Sequence, residues 1–195
     1  MLKAELRKQM LAMRHALGPE ERVRFSEAIG REVMSQAQFK GAATVMAYMT
    51  FGSEFVTQSL INTVLATSKT LVLPRVNRAE NRLELYEVRD LDRDLTSGPW
   101  GIPEPSAHVC RAIALHSIDF ILVPGLGFSA RGERLGYGRG FYDRLLVNRH
   151  GRTRLVAAAF SVQILESIPT DNHDIPVDMV VTELQTYSPT FPKPE

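Results

Sequence analysis

The sequence predicts an α/β fold: a single domain over residues 1–195, built on a mainly parallel open sheet with helices on both faces. Three observations predict it. Short apolar runs alternate along the chain with longer amphipathic stretches, the rhythm of strand–helix units. The inner runs, at residues 70–73, 119–123 and 154–160, lack a polar alternate face, as strands covered on both sides do. And 195 residues with 44% apolar composition suffice for a sizeable core.

The elements follow in order. Leu2, Leu6, Met10, Met13 and Leu17 recur at spacings of four and three, one apolar stripe of a first helix. Gly18-Pro19 stops it. Pro19, followed by Glu20 and Glu21, suits the first turn of a second helix that runs to about Gln38. Residues 44–48 read as a strand, 56–66 as a helix, and 70–73 as a strand ended by Pro74. Residues 83–88 alternate like an exposed or edge strand. Residues 96–106, crowded with proline and glycine, are expected to form an ordered loop without regular structure. Strands at 119–123, 154–160 and 179–181, with helices at 141–148 and 162–167, complete the pattern. The proline-rich tail after Thr186 reads as loose.

Composition narrows the function classes. A formal charge of +1 argues against a nucleic-acid binder, which usually carries a strong basic bias. The single cysteine, Cys110, rules out an internal disulfide framework, and nothing around it announces a nucleophile. No apolar run approaches a membrane span, and the N-terminus lacks a signal-peptide core, so a cytoplasmic location and no membrane partner are expected. The five histidines are scattered, and none is expected to be catalytic.

The strongest local signal is residues 134–143, Arg-Leu-Gly-Tyr-Gly-Arg-Gly-Phe-Tyr-Asp. Gly136, Gly138 and Gly140 alternate after a strand and just before a helix. Glycines let backbone N–H groups approach an anion, and a helix start adds partial positive charge. Phosphate binding is one reading; a glycine-rich turn without a ligand is the other. The segment lacks the Gly-Lys-Ser/Thr ending of a Walker A loop, and its third glycine comes one residue too early for a dinucleotide fingerprint. Asp143 falls in the first turn of the helix, where it either stabilises the dipole or holds Mg²⁺ beside phosphates. On the first helix, Lys3, Arg7 and Arg14 project within about 40° of one another, beside the apolar stripe; such a row is either solvated or reaches a polyphosphate in a cleft.

Together these pieces resemble the 5-formyltetrahydrofolate cyclo-ligase family, also called methenyltetrahydrofolate synthetase. The resemblance covers nearly the whole chain. The family's N-terminal Lys-x-x-x-Arg matches Lys3 and Arg7, and its segment after the first strand matches Tyr48-Met49-Thr50 through Glu54. Its Leu-Pro-Arg is Leu73-Pro74-Arg75, and its Gly-Ile-x-Glu-Pro is Gly101-Ile102-Pro103-Glu104-Pro105, preceded by Trp100. Its longest motif runs from Pro124 to Asp143. One position departs: Ser129 stands where many members have aspartate, and no role is assigned to it.

The resemblance implies an enzyme that converts 5-formyltetrahydrofolate to 5,10-methenyltetrahydrofolate with ATP and Mg²⁺. ATP would be held by Lys3, Arg7 and the loop of Arg134, Leu135, Gly136, Tyr137, Gly138, Arg139, Gly140, Phe141 and Tyr142, with Arg134 and Tyr142 acting in catalysis. Asp143 and Asp174 would hold the metal. Met49, Glu54, Trp100 and Tyr142 would contact the folate. Two rivals stand beside this: a sugar-phosphate or acyl-CoA enzyme on a similar sheet, and a non-catalytic nucleotide- or folate-binding module. Lys3, Arg7 and Trp100 speak against the first; Asp143 and the cationic set would have no purpose in the second.

Overall fold

The computed structural model describes residues 2–189. The first half runs α1 (Lys3–Ala16), α2 (Pro19–Ser35), α3 (Ala37–Gly41), β1 (Thr44–Met46), α4 (Gln58–Leu65), β2 (Thr70–Asn77), β3 (Arg82–Val88), α5 (Leu91–Asp94), β4 (Leu95–Ser97) and β5 (Pro103–Pro105). The second half runs β6 (Phe120–Leu122), β7 (Gly127–Ser129), β8 (Arg134–Leu135), α6 (Phe141–Leu146), β9 (Arg154–Ala158), β10 (Ile164–Leu165), β11 (Met179–Val181) and β12 (Thr186–Tyr187).

The expected α/β sheet is present. Seven strands lie in the order β12-β11-β9-β6-β1-β2-β3. All neighbours from β2 to β11 run parallel, and β3 and β12 close the edges antiparallel. Helices α2, α3 and α4 cover one face through Ile29, Val33, Phe39, Leu60, Ile61 and Val64. Helix α6 covers the other, where Leu146 joins Met46, Ile121 and Leu155. Burial on both faces is why the central strands are apolar throughout. A small sheet, β10-β7-β8, carries α1: Leu6 and Met10 pack with Leu126, Leu135 and Ile168.

Several local expectations are corrected. The second helix ends at Ser35, and the short α3 takes up the residues beyond Gln36. Strand β2 does not end at Pro74 but runs on to Asn77. The N–H of Thr70 and the carbonyl of Val72 both face β1, so Pro74, of the same parity, turns its missing N–H to the side where β1 has already ended. The stretch at 96–106 is no irregular loop: β4 and β5 pair antiparallel around a tight turn at Pro99–Gly101. Residues 162–167 do not form the expected helix. A 3₁₀ turn at Ser161–Gln163 leads into β10, whose Ile164 and Leu165 sit beside Phe128 and Ser129. The segment between β6 and the α6 helix is more than a loop, because β7 and β8 form a hairpin inside it. After β11 the chain turns back to form β12, so the tail is ordered through Tyr187; residues 190–195 lie outside those described.

This topology places a site. From β1 the chain winds outward to β2 and β3, then returns through β6 to wind the other way. The strand order therefore reverses between β1 and β6, and open α/β sheets bind ligands at the carboxyl ends of such strands. Tyr48 and Met49 after β1, and Pro124 after β6, line a cleft there.

Candidate active site

The cleft has a volume of about 560 Å³, within the range of small-molecule sites. Every residue that the family resemblance assigns to nucleotide, folate or metal lines it, whereas Arg14, the third member of the cationic row, does not. The segments come from far apart: the start of α1, the turn after β1, the β4–β5 hairpin, residues 134–143 and the loop before β11.

One wall is the glycine loop. Gly138 and Gly140 have φ of +93° and +65°, backbone that side chains rarely adopt. A methyl group at Gly138 would also come within 3.2 Å of the Arg7 guanidinium. Arg7 binds this loop directly: its Nε donates to the carbonyl of Gly136 at 2.9 Å. It can do so because Leu6 and Met10 seat α1 on the small sheet to which β8 belongs. Tyr137 and Arg139 stand out from the loop, exposed, while Arg134 is buried at its base.

At the loop's far end the cations meet carboxylates. Arg134 ion-pairs with Asp143 through its Nη2, and the Ile175 N–H points to the same Asp143 oxygen. The Nζ of Lys3 donates to both Asp171 and Asp174 at 2.6 Å. Burial opposes ionisation of Asp174, but the Lys3 ammonium and the Asp171 N–H bring its carboxyl below the usual range. Among the described residues, no group of three His, Cys, Asp or Glu is placed to hold a metal ion. Two buried donors on this wall lack any protein partner: Nε of Arg134 and the hydroxyl of Tyr142. Native structures rarely leave such groups unsatisfied. Burial and then the Glu54 charge push the Tyr142 hydroxyl well above its usual value, so it stays a proton donor.

The opposite wall is aromatic and acidic. Trp100 stands half-exposed on the β4–β5 hairpin in left-handed backbone, φ +59°, uncommon for a bulky side chain. Its ring lies under two guanidiniums, Arg139 at 4.9 Å and Arg78 at 5.7 Å. Met49 and Glu54 follow β1. Glu54 is buried; its Oε2 accepts the Phe51 N–H at 3.0 Å, and its Oε1 accepts the Tyr137 hydroxyl.

Sequence reasoning gave no role to two cleft groups, Glu104 and Asp171, and misplaced a third residue, Arg14, that lies behind the cleft. Glu104, 7% exposed, accepts the Val76 N–H at 3.2 Å; it stood in the quoted Gly-Ile-x-Glu-Pro stretch without a role. Asp171 shares Lys3 with Asp174, and its spacing of three was the available signal. Arg14 is not on the rim of the apolar stripe but inside it, while Met13 faces solvent. Ser129, the departure from the family pattern, is fully buried outside the cleft, and its Oγ accepts the N–H groups of Arg131 and Glu133 in a turn. No histidine lines the cleft, and neither does Cys110.

Comparison with known proteins agrees with this geometry. The sequence pattern of the 5-formyltetrahydrofolate cyclo-ligase family matches residues 1–183. The mouse 5-formyltetrahydrofolate cyclo-ligase is 30% identical over 190 residues, 93% of this chain and 92% of that one. The Escherichia coli K12 enzyme of the same name is 31% identical over 170 residues, 87% and 93% of the two chains. The solution structure of Aquifex aeolicus 5,10-methenyltetrahydrofolate synthetase superposes with a TM-score of 0.86 at 38% identity, covering 100% of this chain and 96% of that one. With a pattern match that takes in both walls of the cleft, the chain belongs to the 5-formyltetrahydrofolate cyclo-ligase family.

Proposed function

We propose that the cleft converts 5-formyltetrahydrofolate to 5,10-methenyltetrahydrofolate with consumption of ATP, the whole chain acting as one catalytic domain. The observation that carries this is the pair of unpartnered buried donors, Arg134 Nε and Tyr142 OH, set between a cationic glycine loop and an aromatic, acidic wall. Such donors await an acceptor that arrives with a ligand.

A formamide oxygen leaves poorly; phosphorylation makes it a good leaving group. The formyl oxygen attacks the γ-phosphorus, an O–P bond forms, and the bond to ADP breaks. N10 then attacks the formyl carbon and loses its proton, and phosphate departs with the former formyl oxygen. The protein's work is placement and charge neutralisation. Lys3, Arg7 and the loop from Arg134 to Tyr142 face the phosphates. Arg134 and Tyr142 donate to the oxygen that develops charge. Trp100 and Met49 offer a flat apolar surface to the pterin, and Glu54 accepts from its N–H groups.

The carboxylates fit Mg²⁺ delivered with the nucleotide. Asp143 and Asp174 would hold the ion through hard carboxylate oxygens, two such groups being too few to bind it without the nucleotide. When bound, the ion supplies charge neutralisation at the transferring phosphoryl group. In the free protein Arg134 and Lys3 occupy these carboxylates. With the carboxylates on the ion, both cations would be free to pair with the phosphates. The test is the appearance of methenyltetrahydrofolate absorbance with ATP and Mg²⁺. Product formed without ATP, or none with it, overturns the reading.

A further inference from the structure

We infer that Arg14 is a positioning residue for the folate wall: from inside the protein it holds Tyr137, and through Tyr137 the Glu54 carboxylate, in the geometry that receives the substrate. This rests on the proposed function above.

Arg14 follows Leu6 and Met10 in the buried row of α1, and only 2% of it is exposed. A guanidinium is among the most costly groups to bury, and a buried charge is normally paired. Among the described residues, no carboxylate lies at ion-pair distance from it. Its Nε donates to the Ser53 hydroxyl at 3.0 Å and its Nη1 to the Tyr137 hydroxyl at 3.0 Å. Its guanidinium also lies 5.8 Å from the centre of the Tyr137 ring. The Tyr137 hydroxyl in turn donates to Glu54. The positive charge is therefore balanced at one remove, along a chain of guanidinium, phenol and carboxylate.

Packing alone does not call for this. Leucine or methionine would fill the third place in the row without the desolvation penalty, and Met13 next door is left 39% exposed. What Arg14 joins is the two walls: Tyr137 belongs to the glycine loop, and Ser53 and Glu54 to the turn after β1. Each Glu54 oxygen accepts one bond from the protein, from Tyr137 or Phe51, and keeps a lone pair for a substrate N–H. The groups facing Glu54 are Tyr137, Tyr48, Tyr142 and Arg14. Burial raises its carboxyl above the usual range, against the pull of the Tyr137 hydroxyl, the Phe51 N–H and the Arg14 charge. Removing Arg14 lets it rise further, so the accepting, ionised form is lost at a higher pH as the solution is acidified.

The experiment is calorimetric binding of 5-formyltetrahydrofolate, and separately of ATP, to the full chain between pH 5 and 9, with thermal melting alongside. The proteins are wild type, Arg14→Met, Arg14→Lys, Tyr137→Phe and the Arg14→Met/Tyr137→Phe double variant. Arg14→Met is expected to weaken folate binding about tenfold at neutral pH and to move its acid limb upward, with ATP binding changed much less. Arg14→Lys recovers part of the loss. In the Tyr137→Phe background, Arg14→Met adds little, because the relay is already cut. A folded Arg14→Met protein with wild-type folate affinity and acid limb overturns the inference, and so do losses from the two single variants that simply multiply. If Arg14→Met does not fold, Tyr137→Phe decides, since it leaves Arg14 in place: unchanged folate binding there overturns the inference. Wild-type protein that binds no 5-formyltetrahydrofolate overturns the functional reading itself; normal wild-type binding with an indifferent Arg14→Met overturns this inference alone.

Discussion

The two walls of the cleft are built on different principles. The glycine-loop wall is one continuous segment, residues 134–143, joined by two side chains from α1. It works through backbone shape and charge: Gly138 and Gly140 in left-handed backbone, Arg7 on a loop carbonyl, Arg134 on Asp143. The other wall is assembled from the turn after β1 and the β4–β5 hairpin, about 50 residues apart in sequence. It works through ring surface and buried carboxylates, Trp100 with Glu54 and Glu104. Contiguity makes the first wall tolerant of what happens elsewhere in the fold. The second depends on long-range contacts that hold its parts in register. Variants on the two walls should therefore separate, nucleotide and metal effects on one and folate effects on the other, with Arg134, Tyr137 and Tyr142 excepted because their polar groups reach from the loop toward the folate side.

The largest expected effect is at Asp143. Asp143→Asn keeps the side chain's size but removes the charge proposed to hold Mg²⁺, and turnover should fall by at least about 100-fold. It also leaves Arg134, whose side chain is 5% exposed, without its counter-charge, so the melting temperature should fall too. Turnover per folded molecule, measured across Mg²⁺ concentrations, separates the two. Wild-type turnover at limiting Mg²⁺ would reduce Asp143 to a helix-start residue.

Trp100→Ala sharpens the comparison from the other side. Loss of the ring should weaken folate binding about tenfold, by removing both area and a stacking partner. Because Arg139 of the opposite wall stacks on this ring, a smaller change in ATP affinity should accompany it. An equal loss for both ligands would mean the walls are not separable here.

Gly138→Ala should cost about 1 kcal/mol of fold stability, because of its positive φ and the Arg7 guanidinium beside it. If phosphate lies against this backbone, the added methyl should in addition clash with the nucleotide and weaken ATP binding, while folate binding to the nucleotide-free protein stays constant and thermal melting reports the stability loss separately. Unchanged ATP affinity in a folded alanine variant would count against phosphate lying on this backbone.

The smallest effect on activity is expected at Asp94, which anchors the start of the β4–β5 hairpin. The bond from Arg93, helped by the N–H groups of Arg89 and Asp90, holds its carboxyl at about 2 against burial. A depressed carboxyl stabilises the fold fully above its unfolded value, near 3.8, and the contribution is lost as pH falls toward 2. Asp94→Asn should cost about 1–2 kcal/mol in urea unfolding at pH 7. The gap to wild type should narrow at pH 2.5, and turnover of the folded fraction at pH 7 should not change.

The same contrast explains what was legible in the sequence. The glycine loop could be read because its chemistry lies in consecutive residues, and the parallel sheet because its strands are apolar on both faces. Misreadings came where local signals were overridden by partners far along the chain. Pro74 looks like a strand end, but β2 passes through it because β1 is no longer there to need its N–H. Residues 164–165 look helical, yet they pair with β7. Residues 96–106 hold turn signals only, and the pairing of Leu95 with Pro105 is not visible in them. Arg14, just behind the site, is the clearest case. Helical periodicity sets it beside the apolar stripe; only the arrival of Tyr137 and Ser53 from elsewhere gives a guanidinium reason to turn inward.

The central claim is that the formyl oxygen is phosphorylated in this cleft before the ring closes. The most direct test follows that atom. 5-Formyltetrahydrofolate carrying ¹⁸O in its formyl group is turned over with unlabelled ATP and Mg²⁺, and the inorganic phosphate is analysed by mass spectrometry. One ¹⁸O per released phosphate is the predicted result. Label appearing in water, with unlabelled phosphate, would contradict the account, because the formyl oxygen would then leave without ever having been joined to phosphorus.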